Sequence, residues 1–228
     1  MTTLGPAAST RTVERALGLL AEVCADESIT LSEAARRVQL PPSTALRLLR
    51  TLESAGFVAR APNGSWHAGT RVIQLGAAAL GRQSLVRLGQ PGLRRIVERT
   101  GESAYLAISG PADSAVFIAM VEGTHPVRHT SWVGRAISAG DLAVGRALRG
   151  DVGEHGYAVH RGPEEPDVTG IAAPIRRPGG IAGALNLVGP TYRIDGDIAE
   201  TFGDIVRGEA DAIAAQLGAP DHRKATGT

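Results

Sequence analysis

The sequence predicts an α+β fold in two domains, and three observations support this prediction. The chain has 228 residues, of which 43% are apolar, enough to build a packed core in one or two domains. Helical periodicity dominates before Gly101, and short β-rich runs dominate after it. The first 100 residues carry 13 Lys/Arg and 7 Asp/Glu, a net charge of +6, whereas the rest carry 11 and 16, a net charge of −5. We therefore expect only the front domain to meet a polyanion.

Composition and missing motifs exclude several classes of protein. No stretch of 18 consecutive apolar residues is present, so we expect no membrane span, and the first ten residues lack the pattern of a secretory signal. A lone Cys24 cannot form an internal disulfide or a thiolate metal cage, which favours a reducing, cytoplasmic compartment. The sequence contains no GxxxxGK[ST], GxSxG, HExxH or CxxC motif. We expect no catalytic residue, metal site or cofactor.

Three helices are predicted at the start of the front domain. The first begins at Thr12 and has an apolar stripe at three- and four-residue steps, made of Val13, Ala16, Leu17, Leu20 and Cys24. On this stripe Cys24 is expected to be a small buried hydrophobe. Ser32 is the expected N-cap of a short second helix over 33–38. Pro41 and Pro42 interrupt that helix and are tolerable at a new helix start, so a third helix is expected from Pro42 to Ser54.

A hairpin is predicted after the third helix. Gly56 is expected to end that helix, and Phe57–Arg60 and Trp66–Ala68 are expected to pair across a Pro-Asn-Gly-Ser turn. Trp66 is interpreted as a core residue between hairpin and helix. The front domain is therefore expected to contain a helix-turn-helix followed by a β-hairpin that can act as a wing.

The outer face of the third helix favours contact with nucleic acid. If Ala45, Leu48, Leu49 and Leu52 face inward, then hydroxyl and guanidinium side chains face outward. Such groups can bond phosphates and base edges in the major groove of DNA. The residues expected to contact double-stranded DNA are Ser43, Thr44, Arg47 and Arg50 on this helix, Arg60, Asn63 and Ser65 on the hairpin, and Arg11 and Arg15 on the first helix. A solvated helix face that docks a protein is the alternative.

The back domain is predicted to alternate short strands with a few helices. A helical stretch from Arg71 to about Gly89 is expected to break at Pro91, and a second helical piece to run to Thr100. The expected strands are Ala104–Ser109, Ala115–Glu122, Val127–Val133, Gly156–Val159, Thr169–Ile175 and Ile181–Val188, the last two joined by a Pro-Gly-Gly turn. Asp141–Leu148 is expected to be helical, and an amphipathic helix with Ile198, Phe202, Ile205, Ile213 and Leu217 closes the chain.

A family resemblance covers about residues 11–217. The winged helix-turn-helix of the IclR family of bacterial transcriptional regulators resembles RTVERALGLL and LSEAARRVQLPPSTALRLLRTLESAGFVARAPNGSWHAGTRV. Landmarks of that family's effector-binding domain are similar, in order, to GESAYLAI, VGRAISAGDLAVGRAL, GIAAPIRRPGG and ALNLVGP. The resemblance implies a winged helix-turn-helix over residues 10–70, a linker helix over 71–90 and an α/β, GAF-like sensor domain over 91–219 with a mainly antiparallel sheet. It also implies homodimers or dimers of dimers on palindromic DNA.

The chain departs from the family pattern at several positions. Pro42 stands where members often have a basic residue, and Leu46 where they often have histidine. In the sensor domain Ala139-Gly140-Asp141 replaces leucine-histidine-alanine, and Arg146 replaces lysine. The segment between Leu148 and Gly156 lacks a helix that members usually have. The effector pocket is therefore expected to be opened or altered.

The resemblance also implies which residues bind a small-molecule effector. They are Gly134, Gly140, Asp141, Leu142, His160, Gly170, Asn186 and Val188, with Tyr105 on the first strand of the domain facing the same cavity. Where members offer hydroxyls or thiols, this chain has Gly170, Asn186 and Val188, and Asp141 would repel a carboxylate. We expect a less acidic, more apolar ligand, or none. Ordinary strand packing is the alternative role for Gly170 and Val188.

Three functions follow, in order of preference. The first is a sequence-specific transcription regulator whose sensor domain biases operator binding when a small molecule binds. The helix over 71–90 would couple the two domains and supply dimer contacts. The second is a cytosolic sensor whose front half docks a protein, and the third is an enzyme built on the back domain.

Overall fold

In this computed structural model the described residues are 10–82, 84–129, 131–162 and 167–219. The chain forms two compact units, and the division between them falls after Arg82. The first unit is helical with a small hairpin, and the second is built on a six-stranded sheet.

The first unit is a winged helix-turn-helix. Its elements are α1 (Arg11–Ala25), α2 (Leu31–Arg37), α3 (Pro42–Ser54), β1 (Val58–Arg60), β2 (Trp66–Ala68) and α4 (Thr70–Arg82). The core between the first three helices and the hairpin contains Leu19, Ala34, Leu49, Val58 and Trp66. Trp66 is 1% exposed, and its backbone N–H and C=O both pair with Ile29 at 2.8 and 2.9 Å, so the predicted core role of this side chain is confirmed.

The buried face of α1 differs from the prediction. Leu19 and Val23 are buried, whereas Val13, Leu17 and Cys24 of the predicted stripe are exposed. The prediction was wrong because α2 and α3 pack against a face rotated from the one that the apolar spacing favoured. The prediction that Cys24 is buried was therefore also wrong.

The second helix also begins differently from the prediction. Its N-cap is Thr30, whose hydroxyl oxygen accepts a hydrogen bond from the Glu33 N–H at 3.3 Å, so the predicted cap at Ser32 was wrong. The predicted bounds of α3 are confirmed, and Gly56 follows it with a φ of +76°, the left-handed conformation that glycine favours.

The second unit begins with α5 (Ser84–Thr100), which contains Pro91. The predicted break at Pro91 was wrong. The carbonyl that loses its partner through proline belongs to Arg87, an exposed residue, so water can satisfy it.

A six-stranded antiparallel sheet forms the centre of the second unit, in the order β5-β4-β3-β8-β7-β6. The strands are β3 (Ser103–Gly110), β4 (Ser114–Val121), β5 (Ala136–Ser138), β6 (Ala158–Arg161), β7 (Val168–Arg177) and β8 (Gly180–Pro190). The helices are α6 (Ala143–Arg149), a 3-10 turn (Thr191–Arg193) and α7 (Gly196–Gln216). The β7–β8 pair confirms the predicted hairpin at the Pro-Gly-Gly turn.

The sheet has a different partner on each face. On one face α5 and α7 pack large aliphatic side chains such as Leu93, Ile96, Val206 and Ile213 against it. On the other face α6 packs against a surface of small residues and a few aromatic ones, among them Ala107, Phe117 and Ala172. The second face leaves room for a cavity between α6 and the sheet.

One predicted strand is not formed. Residues 127–129 and 131–133 are irregular, and the next strand after β4 is β5, which starts at Ala136 and pairs with the outer side of β4. The valines at 127 and 133 suggested a strand, but both are exposed. The α+β class in two domains is confirmed, and no helix among the described residues is long and apolar enough to cross a membrane.

Candidate functional site

The exposed face of α3 carries the predicted hydroxyl and guanidinium groups. Ala45, Leu48 and Leu49 are buried, which turns Ser43, Arg47, Arg50, Thr51 and Ser54 to solvent around an open surface depression. Thr44 is half-buried at the start of the helix. A helix with this exposed face fits the major groove of B-DNA.

The arginines of the first unit divide into engaged and available groups. The Arg37 guanidinium contacts the carboxylates of Glu22, Asp26 and Glu33 at 3.3, 2.8 and 2.8 Å, which fastens α2 to the end of α1. These carboxylates raise the pKa of Arg37. Within the described part of the chain, the side chains of Arg47 and Arg50 make no hydrogen bond or ion pair, so both can pair with phosphate or a base edge.

The wing uses part of its own polar groups to hold its turn. The Asn63 side-chain oxygen accepts hydrogen bonds from the Ser65 N–H at 3.0 Å and the Ser65 hydroxyl at 2.8 Å. Ser65 is buried, so its hydroxyl faces the turn and not the solvent. Arg60 is exposed, and its guanidinium carbon lies 5.8 Å from the centre of the Trp66 ring. Of the three predicted wing residues, Arg60 and Asn63 are exposed, and Arg11 and Arg15 are exposed on α1.

The second unit contains a cavity of about 670 Å³ on the α6 face of the sheet. Seven of the nine predicted effector residues line it. They come from the segment that leads into α6 and from the strands β6, β7 and β8: Gly140, Asp141, Leu142, His160, Gly170, Asn186 and Val188. Gly170 pairs with His160 and with Val188 across neighbouring strands, so these positions form one row of the cavity floor. Gly170 contributes no side chain to this floor.

Tyr105 and Gly134 are not among the lining residues. The Tyr105 ring is fully buried 5.0 Å from Phe117, and its hydroxyl lies 2.6 Å from Nδ1 of His129. Tyr105 is therefore held beneath the cavity wall by ring packing and this hydrogen bond. Gly134 lies in a turn with a φ of +83°, and its N–H donates to the Phe117 carbonyl at 2.8 Å. Its role in the structure is to form this turn.

Several residues that line the cavity were not predicted from the sequence. The most informative are Phe117, Trp132 and Arg135, since the two rings lie 5.9 Å apart and the guanidinium adds a cation to the cavity. Phe117 could have been found from the alternation of its strand. Trp132 lies in the segment predicted as a strand, and Arg135 follows that segment just before β5. Because the segment is irregular, the contribution of these two residues to the cavity was not predictable.

A winged helix-turn-helix domain and a separate antiparallel domain with a small-molecule cavity define the class of ligand-responsive transcriptional regulators. The IclR helix-turn-helix domain model matches residues 12–62. The HTH-type transcriptional regulator BhcR of Paracoccus denitrificans is 30% identical over 221 aligned positions, covering 81% of this chain and 79% of that protein. The chain belongs to the IclR family and is a DNA-binding transcriptional regulator.

Another relative agrees with this assignment, and solved structures share the fold. The transcriptional repressor IclR of Escherichia coli is 30% identical over 129 residues, which is 56% of this chain and 47% of that protein. An IclR transcriptional regulator from Alicyclobacillus acidocaldarius matches with a TM-score of 0.77 at 22% identity, covering 92% of this chain and 100% of that chain. An IclR homologue from Microbacterium hydrocarbonoxydans, solved with 4-hydroxybenzoate, matches with a TM-score of 0.73 at 25% identity and the same coverage. The relatives are regulators and not enzymes.

Proposed function

We propose that this regulator binds a palindromic operator in the cytoplasm as a homodimer or dimer of dimers. In this proposal α3 enters the major groove, and Ser43, Thr44, Arg47 and Arg50 contact bases and phosphates. Arg60 and Asn63 on the wing, with Arg11 and Arg15 on α1, contact the flanking backbone. The observation that carries the proposal is the α3 face, where two exposed arginines without partners in the described chain stand among hydroxyls.

The proposal gives the sensor domain the role of a ligand-dependent bias on operator binding. The cavity against α6 is concave, mostly apolar and supplied with a few polar groups, as small-molecule sites generally are. The Microbacterium homologue was solved in complex with 4-hydroxybenzoate, which supports a small-molecule ligand for this regulator. A ligand changes operator affinity only if it binds one arrangement of the protein better than another.

Dimer formation in this proposal uses apolar side chains that the first unit leaves exposed. Ile73 and Leu75 on α4 are 67% and 47% exposed, and Leu17 on α1 is 57% exposed. Helix-turn-helix proteins commonly read two half-sites as symmetric dimers, so a second copy is the expected partner of these side chains.

Arg47→Ala tests the DNA interface directly. We expect it to weaken specific operator binding by about 1–3 kcal/mol, because a guanidinium contact to a base or phosphate is lost. The measurement is a mobility-shift titration at fixed salt, with duplex from the upstream region of the protein's own gene against random duplex. A second salt concentration separates the two kinds of contact, since loss of a phosphate contact lowers the salt slope by about 1.

The matched control is Arg177→Ala, which removes an exposed arginine at the end of β7 in the other domain. We expect this variant to bind the operator as the wild type does. Equal affinity of the Arg47→Ala protein and the wild type would remove Arg47 from the contact set. Binding that ignores both sequence and salt would favour the protein-docking alternative.

A further inference from the structure

Two exposed residues of opposite charge line the sensor cavity, and neither has an ion-pair partner among the described residues. Arg135 and Asp141 both line the cavity and are both exposed. Within the described residues, neither side chain makes a hydrogen bond or an ion pair, with each other or with any other group. His160 is the one further titratable side chain among the lining residues described.

Three other arginines of the same unit pair with carboxylates. Arg149 pairs with Asp113 at 3.1 Å, Arg146 with Asp151 at 3.3 Å, and Arg128 with Glu122 at 3.3 Å. Arg135 has no such carboxylate partner within the described residues, although Asp141 lines the same cavity. A ligand that approaches the rim meets both charges.

These two charges restrict the ionic character of a ligand. A simple carboxylate could pair with Arg135 but would bring a like charge to the cavity that holds Asp141. A simple amine could pair with Asp141 but would be repelled by Arg135. A ligand with one anionic and one cationic group satisfies both rim residues.

The side chains inside the cavity favour a ligand with a planar apolar group. Phe117 and Trp132 present two rings 5.9 Å apart and tilted by 43°, and Leu142 and Val188 add aliphatic surface. Aromatic rings favour offset or edge contacts with another ring at such distances.

The floor of the cavity offers one buried hydrogen-bonding group. Asn186 is 4% exposed and lines the cavity, and no hydrogen bond of its side chain is formed within the described chain. A Cβ on Gly170 would lie 3.8 Å from Asn186 Oδ1, so the amide faces a position kept free of side-chain atoms. Buried amides are normally paired, and a polar substituent or water on the ligand side would pair this one.

We propose that the effector is an aromatic zwitterion, with its anionic group on Arg135, its ammonium group on Asp141 and its ring against Phe117 and Trp132. This inference rests on the proposed function of the cavity as the effector site. It differs from the expectation of a less acidic ligand because Arg135 lines the cavity together with Asp141.

The test uses two zwitterions with different charge spacing, each with its singly charged analogues. L-phenylalanine is compared with 3-phenylpropanoate and 2-phenylethylamine, and 4-(aminomethyl)benzoate with 4-methylbenzoate and 4-methylbenzylamine. Binding to the full-length protein is measured by calorimetry and by quenching of tryptophan fluorescence, since Trp132 lines the cavity. We expect at least one zwitterion to bind about tenfold or more tightly than both of its analogues, the effect of one charge-assisted hydrogen bond.

Two charge-removing variants assign the groups. In Asp141→Asn the preferred zwitterion is expected to lose its advantage over the carboxylate analogue, and in Arg135→Gln its advantage over the amine analogue. Asp197→Asn and Arg177→Gln, which neutralise exposed residues outside the cavity, serve as matched controls and are expected to leave both advantages unchanged.

The outcomes separate this inference from the proposed function. Tighter binding of either singly charged analogue, or no binding of any of the six compounds, overturns the zwitterion. Operator binding by the wild-type protein is measured on the same preparations. If the wild type does not bind the operator, the proposed function is overturned instead. Unchanged preferences in Asp141→Asn and Arg135→Gln would likewise overturn the assigned charge contacts.

Discussion

Tyr105 supports the cavity wall from below. Its ring packs on Phe117, and its hydroxyl reaches Nδ1 of His129 at 2.6 Å. His129 in turn packs edge-on against Trp132 with ring centres 4.2 Å apart. A single phenol therefore fixes the positions of two rings of the cavity wall. Burial, and secondarily the charge of Glu122, raise the pKa of Tyr105 above its ordinary value, so the phenol is neutral at physiological pH.

The raised pKa predicts alkaline instability. In the unfolded chain tyrosine loses its proton near pH 10, whereas in the folded protein the proton is held to higher pH. The stabilisation is therefore complete below about pH 10 and is lost as pH rises through the folded-state pKa. We expect Tyr105→Phe to flatten the fall in the free energy of unfolding between about pH 10 and 11, measured by urea titration.

The control for this prediction is Tyr192→Phe, which alters an exposed tyrosine of the same domain. It is expected to retain the alkaline slope of the wild type. An equal slope in Tyr105→Phe and the wild type would contradict the role assigned to burial of this phenol.

Residue-level predictions from sequence succeeded where the cause is local. The outward direction of Arg47 and Arg50 follows from helical spacing within α3. The exposure of Cys24 and the three-carboxylate environment of Arg37 depend on how α1 meets α2, which spacing within one helix does not contain. Arg135 was missed for the same reason, because its importance arises from segments far apart in sequence.

At the scale of elements, the irregular segment after β4 is fastened to the beginning of β3. The Thr124 N–H donates to the Gly101 carbonyl at 2.9 Å, and the Ser103 hydroxyl donates to the His129 carbonyl at 3.3 Å. Arg193 adds a third attachment, because its guanidinium donates to the Val127 carbonyl at 2.8 Å and to the buried Glu102. These long-range bonds satisfy groups that a strand would have paired, which explains why the strand predicted at Val127–Val133 does not form.

The Glu102–Arg193 pair is expected to stabilise the sensor domain. Nε and Nη2 of Arg193 donate to the two carboxylate oxygens of Glu102 at 2.6 and 2.9 Å, and Glu102 is 1% exposed. Arg193→Met leaves that buried carboxylate without its guanidinium partner and, among the described residues, with only the His125 ring, whose Nε2 lies 3.8 Å away, so we expect a loss of about 3 kcal/mol in the free energy of unfolding. Glu102→Gln combined with Arg193→Met should recover part of that loss, because the buried charge is removed as well.

Arg128→Met is the matched control for this pair. Its partner Glu122 is exposed, and an exposed ion pair contributes about 0–1 kcal/mol. Chemical denaturation followed by far-UV circular dichroism measures all four proteins. A loss in Arg193→Met no larger than in Arg128→Met would show that the buried pair does not stabilise the domain.

At the scale of the whole molecule, operator and effector sites lie in different units and can influence each other only through a shared equilibrium. An effector that lowers operator affinity by some factor must have its own affinity lowered by the same factor when operator is bound. The sequence predicted both units from composition and periodicity, since the charge split and the change to β-rich runs each extend over many residues. The residues of the cavity floor were predicted from the resemblance to the family, because the periodicity of single strands does not show which strands meet at a cavity.

The number of copies that act together is tested through α4. Ile73 is 67% exposed on a helix whose described side chains are mostly exposed, and a second copy of the chain is the proposed partner that would cover it. Ile73→Asp places a charge in that contact, and burying an unpaired carboxylate is strongly unfavourable. We expect the variant to elute as a 23.6 kDa monomer in size-exclusion chromatography with light scattering, while the wild type elutes as a dimer or larger. Operator affinity should fall as well, because each half-site is then bound by a single copy.

Gln74→Asp adds the same charge one position along the exposed helix and separates an effect of charge from the loss of Ile73. A wild-type monomer, or an Ile73→Asp protein with the wild-type mass, would contradict α4 as the dimer contact while leaving the DNA-binding face of α3 to be judged by the Arg47→Ala titration.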